Sequence, residues 1–373
     1  MEPLVSFVVP CYNYAHLLPQ CIHSILGQTY KEFEILIMDN CSPDNTPEVA
    51  ASFSDPRVKH IRNEVNLGHV RNFNKGITMA QGKYVWLISP DDWLRSPDVL
   101  QRYVELMEKN PGVGYVFCRS LEVRGSQQPK EIGIAQWTSC GPEDRIWEGP
   151  NFVLRLLQNN CVVLSAAMVR KECYDKLGLF SLEMPHANDV YLFFVLALHY
   201  QVAYMAEPMV FVRIHETSLT SEFDQTGSAF CVIDELTVLW RVARLAEQAG
   251  MVKERRAFNT CIANLAAQSL KYGSPGRPRP RLNEADLETL VHQYVKDAND
   301  EADFRARLHM AIGDQEFWHA EYKKAAQAYW SGLRLRPWWL RIWVKYLLLR
   351  TGALGLCIRR FMLGQRQSRE EVA

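Results

Sequence analysis

Neither sign of charge prevails in this sequence. Its 42 Lys and Arg balance 42 Asp and Glu, so the chain as a whole has no pull toward polyanions and nucleic acid is not an expected partner. No uninterrupted apolar run reaches the roughly 18 residues of a membrane-spanning helix. A basic stretch ahead of an apolar one is also missing near the start, where Pro10 breaks the short apolar run, so no cleaved signal peptide is expected. The ten cysteines form no C-x-x-C pair and no His/Cys cluster at zinc spacing. Scattered thiols of this kind fit a reducing compartment, and the expected location is cytoplasmic. Neither G-x-x-x-x-G-K-[ST] nor G-x-G-x-x-G occurs, which removes support from kinase, ATPase and dinucleotide oxidoreductase readings. Ser165 has no nucleophile-elbow surroundings.

What is present is a globular composition, 48% hydrophobic and 23% charged, in a strongly patterned N-terminal part. Short apolar, β-rich stretches at 4–9, 33–38, 58–61, 84–88 and 115–118 alternate with helical patterns at 16–28, 45–53, 69–80 and 97–109. The last of these opens on Ser96-Pro97-Asp98, an N-cap followed by proline. Such alternation predicts an α/β domain with a mostly parallel sheet flanked by helices. Residues 119–150 read as a long loop over the sheet edge. A second block follows, with strands at 162–169, 201–205 and 209–214 and helices at 171–176 and 189–199. From about 226 the pattern is all helical. It runs nearly unbroken over 229–271, pauses at a Gly/Pro/Arg linker near 273–283, and resumes over 284–349. Residues 320–337 resemble one tetratricopeptide helix without a second copy. The expected organisation is a catalytic domain at 1–225 and a helical region at 226–373.

Three strand ends carry polar signatures. The first stretch leads into Pro10-Cys11-Tyr12-Asn13, where an aromatic could stack on a base or simply pack a turn. The second ends in Asp39, which could accept the imide N–H of uracil or thymine, or cap the following turn. The fourth leads into Asp91-Asp92. Adjacent acids repel unless a cation or donors neutralise them, and Mg²⁺ or Mn²⁺ shared with substrate phosphates uses one or two carboxylates; an acidic cap is the alternative. Asp189 begins an apolar helix, as a cap or as a base for an acceptor hydroxyl. Arg213 could pair with an anion, and His215 could bind metal or phosphate or be structural.

Together these motifs resemble family 2 glycosyltransferases of the GT-A fold. The match runs from Pro10-Cys-Tyr-Asn13 through Ser24 to Thr29 and Asp39-Asn-Cys-Ser-Pro-Asp44-Asn-Thr46. It continues with Asn66, Gly68, Asn74, Gly76, Ala80 and Gly82, then Gly178, Phe180, Asp189, Pro208, Arg213, His215 and Ser218. The resemblance implies a GT-A Rossmann-like mixed sheet with a C-terminal helical extension, and an inverting displacement on a nucleoside-diphosphate sugar. Pro10, Tyr12, Asn13, Asp39, Arg71 and Asp91 would bind the nucleotide. Asp91, Asp92 and His215 would hold a divalent metal, Mn²⁺ or Mg²⁺, with Arg213 near the diphosphate and Asp189 as the catalytic base. Two positions depart from the family. Ser89 stands where its outer metal-site aspartate is usual, and Asn188 replaces the acid that commonly precedes the base.

The carrier is expected to be UDP or dTDP, with GDP also compatible, and the acceptor a glycan or lipid-linked hydroxyl in surface polysaccharide or glycan biosynthesis. Two competing readings are an inactive domain serving as an assembly platform and a sugar-1-phosphate nucleotidyltransferase. Residues 331–373 hold nine Lys and Arg against two Glu. The tryptophan-rich stretch from 338 to 364 could therefore lie on a membrane surface, pack on the enzyme, or join two copies as an oligomer. Peripheral attachment at the inner face of the membrane extends the first of these.

Overall fold

A computed structural model describes residues 4–125, 130–218, 221, 229–271 and 282–351. It divides into two compact units, Met1–Gln225 and Thr226–Ala373.

The first unit is built on one sheet. In chain order its elements are β1 (Val5–Cys11), α1 (Leu18–Leu26), β2 (Phe33–Asp39), α2 (Thr46–Ala51), β3 (Val58–Arg62), α3 (His69–Met79), β4 (Tyr84–Leu87), β5 (Trp93–Leu94), α4 (Val99–Lys109), β6 (Val113–Arg124), β7 (Lys130–Ile134), β8 (Arg145–Trp147), α5 (Gly149–Gln158), β9 (Ala167–Arg170), α6 (Lys171–Leu177), α7 (Asn188–His199) and β10 (Gln201–Ile214). The strand order is β3-β2-β1-β4-β9-β6-β10-β5, with β7 beside β6 and β8 beside β10. Strands β1 to β4 pair in parallel, as do β6 and β10, while β9 runs antiparallel between β4 and β6. This is the mixed, mostly parallel sheet that the alternation predicts.

Strand β2 is buried along its whole length, and β1 at all positions but Pro10. That is the mark of strands covered on both faces. Period two sorts their side chains. Phe7, Val9, Ile35 and Ile37 share a core with Leu18, Ile22 and Ile25 of α1 and with Leu100 and Tyr103 of α4. Val8 and Met38 turn the other way, toward Gly76 of α3, where an added Cβ would come within 2.4 Å of Val8 Cγ1. Gln28 clips the first layer together: its amide nitrogen donates to Ser96 O (2.9 Å) and its amide oxygen accepts from Leu100 N (2.9 Å). Gly82 is tighter still. A Cβ there would lie 2.7 Å from Ser6 N and 2.8 Å from Val5 C, both backbone atoms that cannot swing aside. Gly82→Ala is therefore expected to cost about 1–3 kcal/mol by overpacking, read as a lower chemical-denaturation midpoint; an unchanged midpoint would refute the close approach.

Several expectations are corrected. The stretch 119–150 is not mainly loop: β6 continues to Arg124, with Leu121 and Val123 buried between more exposed Glu122 and Arg124, and β7 and β8 follow. That is a half-buried strand pattern, obscured by the Gly and Gln residues after it. Residues 164–166 form a 3-10 turn, so the strand there starts at Ala167. The two strands expected at 201–214 are one, with register shifts around Pro208, whose missing N–H interrupts the ladder. Helix α4 begins at Val99, beyond Ser96-Pro97-Asp98; Asp98 makes no side-chain cap and instead accepts from Ser96 Oγ.

The second unit is helical throughout its described residues: α8 (Phe230–Gln248), α9 (Val252–Lys271), α10 (Glu284–Tyr294), α11 (Ala298–Trp318), α12 (Tyr322–Leu335) and α13 (Leu340–Arg350). Gly250, at φ 73°, splits the expected long helix in two, a conformation that costs glycine little. Helix α10 is capped by Asn283, and α11 by Asp297. Phe317, Ala325, Tyr329, Leu333 and Ile342 form the core beneath the last three helices. The expected linker at 273–283 lies outside the described residues except for its last two positions.

Candidate active site

The chain runs from β1 out to β2 and β3, then returns to lay β4 on the other side of β1. Such a reversal opens a crevice at the carboxyl ends of the strands, where ligands of open α/β sheets bind. The ends of β1, β2 and β4 deliver Pro10 to Asn13, Asp39 and Asp91-Asp92 to that edge.

After β4, Ser89 to Asp92 form a turn closed by Asp92 N donating to Ser89 O (3.1 Å). Ser89 N in turn donates to Ser165 Oγ (3.0 Å). The end of β10 closes on this turn. Arg213 N donates to Asp92 Oδ1 (2.9 Å), Arg213 Nε to Asp91 O (3.2 Å), and His215 Nε2 meets Asp91 Oδ2 at 2.9 Å. His215 Nδ1 meets Thr217 Oγ1 at 3.0 Å, and Thr217 O accepts from Tyr14 Oη (3.1 Å). Asp92 is only 4% exposed. Burial first, and the charge of Asp91 second, hold its carboxyl well above the usual carboxylate range against the pull of Ser165 and Arg213. Adjacent acids thereby relieve their repulsion, since a raised pKa favours the uncharged form of one of them.

Arg213 is buried, and its guanidinium also donates to Gln20 Oε1 (2.7 Å) and Gly125 O while lying over the Trp93 ring. The side chain thus braces the acidic turn against its neighbours. Removing it strands several buried polar groups, and Arg213→Ala should lower unfolding stability by roughly 3 kcal/mol. Retention of wild-type stability in urea denaturation would count against the brace.

The second cluster surrounds Asp39, which is fully buried. Asp39 Oδ1 accepts from Ser42 N (2.8 Å), and Oδ2 from Arg62 (2.6 Å), with His60 at 3.3 Å. Burial opposes its charge, but these bonds together outweigh it and the carboxyl is held below its ordinary value. The neighbouring loops are stapled: Asn13 N donates to Ser42 Oγ (3.2 Å) and Ala15 N to Asp44 Oδ2 (2.9 Å). Asn13 adopts φ 63°, a left-handed conformation that asparagine tolerates. The staples leave the Tyr12 ring 45% exposed at the rim.

Asp189 lies in the first turn of α7, half-buried, with Oδ1 accepting from Val190 N (2.8 Å). Burial raises its pKa, against the opposing influence of Val190 N–H and of His186 and His69. The loop before it is tied to α3 by His69 Nε2 and Pro185 O (2.9 Å) and by the Asn74–Phe180 pair. Arg71 is exposed on the same helix.

The structure thus joins Asp91, Asp92, Arg213 and His215 in direct contact. Asp39 and Asp189 stand in clusters of their own. For a divalent cation, Asp91 and His215 supply a carboxylate oxygen and an imidazole nitrogen. Among the described residues no group of three His, Cys, Asp or Glu converges, and Asp92 is turned onto Arg213. The fit is therefore to a cation that completes its shell with substrate oxygens. Arg62, His60 and Gln20 escaped the sequence reading, and Ser165, weighed there only as a nucleophile, supports the acidic turn through Ser89 N. His60 and Arg62 were the detectable pair, two residues apart and so on one face of β3.

An open, mostly parallel α/β sheet with an acidic turn at its switch point is what the geometry defines. Residues 6–178 match the profile of Glycosyl transferase family 2, and the chain belongs to that family. Glycosyltransferase GlyG of Streptococcus pneumoniae is 35% identical over 115 residues, 30% of this chain and 38% of GlyG. Protein MT1568 of Mycobacterium tuberculosis is 30% identical over 244 residues, 64% of this chain and 75% of its own length. The fold is also that of TarS residues 1–349 from S. aureus, crystallised with UDP-GlcNAc: TM-score 0.56 at 14% identity, over 94% of this chain and 90% of that fragment.

Proposed function

We propose that the first unit is an inverting transferase that moves a sugar from a nucleoside-diphosphate carrier to a hydroxyl of a glycan or lipid-linked acceptor. The observation that carries this reading is the acidic turn after β4, held in place by the end of β10 through Arg213 and His215. Tyr12 offers a face for the base at the crevice rim; Asp39 would accept the imide N–H of a UDP or dTDP carrier, which cytidine lacks, once Arg62 or His60 gives way at its enclosed carboxylate. The UDP-GlcNAc bound by TarS is consistent with that preference. Asp91 and His215 would hold a divalent ion, Mn²⁺ or Mg²⁺, and Asp92 and Arg213 would fix the orientation of Asp91. Such an ion supplies Lewis-acid neutralisation of the leaving diphosphate. Asp189, with its raised pKa, takes the acceptor hydroxyl proton as the oxygen attacks the anomeric carbon from the face opposite the diphosphate. One displacement inverts that carbon.

The direct test is release of nucleoside diphosphate from UDP-, dTDP- and GDP-sugars by the full chain with Mn²⁺ or Mg²⁺. One carrier should be turned over preferentially and should raise the melting temperature most, since ligand stabilisation grows as RT ln(1 + [L]/Kd). No release from any carrier, together with no stabilisation, would favour the platform reading and overturn this one.

A further inference from the structure

Helix α13 shows two faces. Ile342 is buried in the core with Phe317, Tyr329 and Leu333, and Trp343, Tyr346 and Leu349 pack partly against it. The opposite side leaves Leu340 73%, Val344 39% and Leu347 52% exposed. At 3.6 residues per turn these three fall within roughly 60° of arc. Arg341 borders that apolar stripe on one flank and Arg350 on the other, both exposed. Just ahead of the helix stands Trp338, 70% exposed.

We propose that this face of α13 seats the second unit on the surface of an anionic lipid bilayer. The pattern is that of a helix lying in the interface: an apolar stripe toward the acyl boundary, arginines at its edges toward lipid phosphates, and a tryptophan at headgroup level. Charge complementarity selects lipid over a second copy of the chain, because identical faces would bring Arg341 and Arg350 against their own kind. The sequence beyond the described residues carries the same character, with Leu354, Leu356, Ile358, Phe361 and Leu363 interleaved with Arg359, Arg360 and Arg366. Eleven residues give the helix a length of about 16 Å, half of the ~30 Å hydrocarbon core, and among the described residues no helix is long and apolar enough to cross a membrane. Lying flat is the arrangement left to α13. The inference does not depend on sugar transfer and stands whichever carrier the first unit uses.

Co-sedimentation of the full chain with phosphatidylcholine vesicles, with and without phosphatidylglycerol, tests it. Binding to the phosphatidylglycerol vesicles should be about tenfold tighter or more, and should weaken with added salt. Leu340→Glu/Leu347→Glu and Arg341→Glu/Arg350→Glu variants, changed only at exposed positions, should fall to the phosphatidylcholine level with an unchanged melting temperature. Tryptophan emission of the unaltered chain should shift to the blue on binding. Three outcomes would overturn the proposal: no sedimentation with phosphatidylglycerol, sedimentation that both variants retain, or a lipid-free dimer that the leucine variant dissolves.

Discussion

Asp189→Asn should reduce kcat by about 10²–10⁴-fold, the usual worth of a positioned general base, while calorimetry with the sugar nucleotide shows binding retained. The pH profile gives an independent check. A base works deprotonated, and burial raises the pKa of Asp189, so the acid limb should lie above the ordinary aspartate value of about 3.9. That limb should vanish from whatever activity the variant keeps. Stability runs the opposite way. A carboxyl whose folded pKa is raised binds its proton more tightly in the native state. Native stability is therefore lost as pH rises from the unfolded value through the folded one, and stays lost above it. The amide cannot ionise, so the inactive variant should be at least as stable as the parent at neutral pH. A variant with parental turnover would remove Asp189 from the chemistry, and one that is both inactive and unfolded would make it a structural residue.

The second large effect is expected at Asp91. In Asp91→Asn the side chain keeps its shape and can still meet His215, yet one of the two cation-holding groups loses its charge. Lewis-acid help worth several kcal/mol then disappears, and turnover should fall by about 10³-fold. Raising Mn²⁺ should recover part of the loss, because weaker binding is offset by concentration. The same titration on Asp189→Asn should recover nothing. If excess cation leaves Asp91→Asn unmoved while circular dichroism stays native, Asp91 orients the site without holding an ion.

Much of this fold could be read from the chain because its central strands are buried on both faces and written as unbroken apolar runs: β1, β2 and β4 lie where those runs lie. Strands that meet solvent on one side were harder. In β6 beyond Cys118 and in β10 around Pro208, polar residues and a proline interrupt the runs while partners far along the chain maintain the pairing. The acidic side chains were visible, since carboxylates at strand ends need a reason to be there. Their allotment to inward and outward roles was not. The burial of Asp92 depends on Arg213 N, and the settling of Asp39 depends on Arg62 and His60, contacts that join residues more than twenty positions apart. The enclosure of Arg213 by Gln20, Gly125 and Trp93 was likewise not legible, because those partners lie far from it along the chain.

That enclosure bears on how such a protein can diversify. One side chain of the last long strand fastens α1, the acidic turn and the residue that follows β6, so the candidate site is held together as a block. Under the proposed transfer, novelty in the sugar or its recipient is then expected outside these contacts, at positions such as the rim around Tyr12.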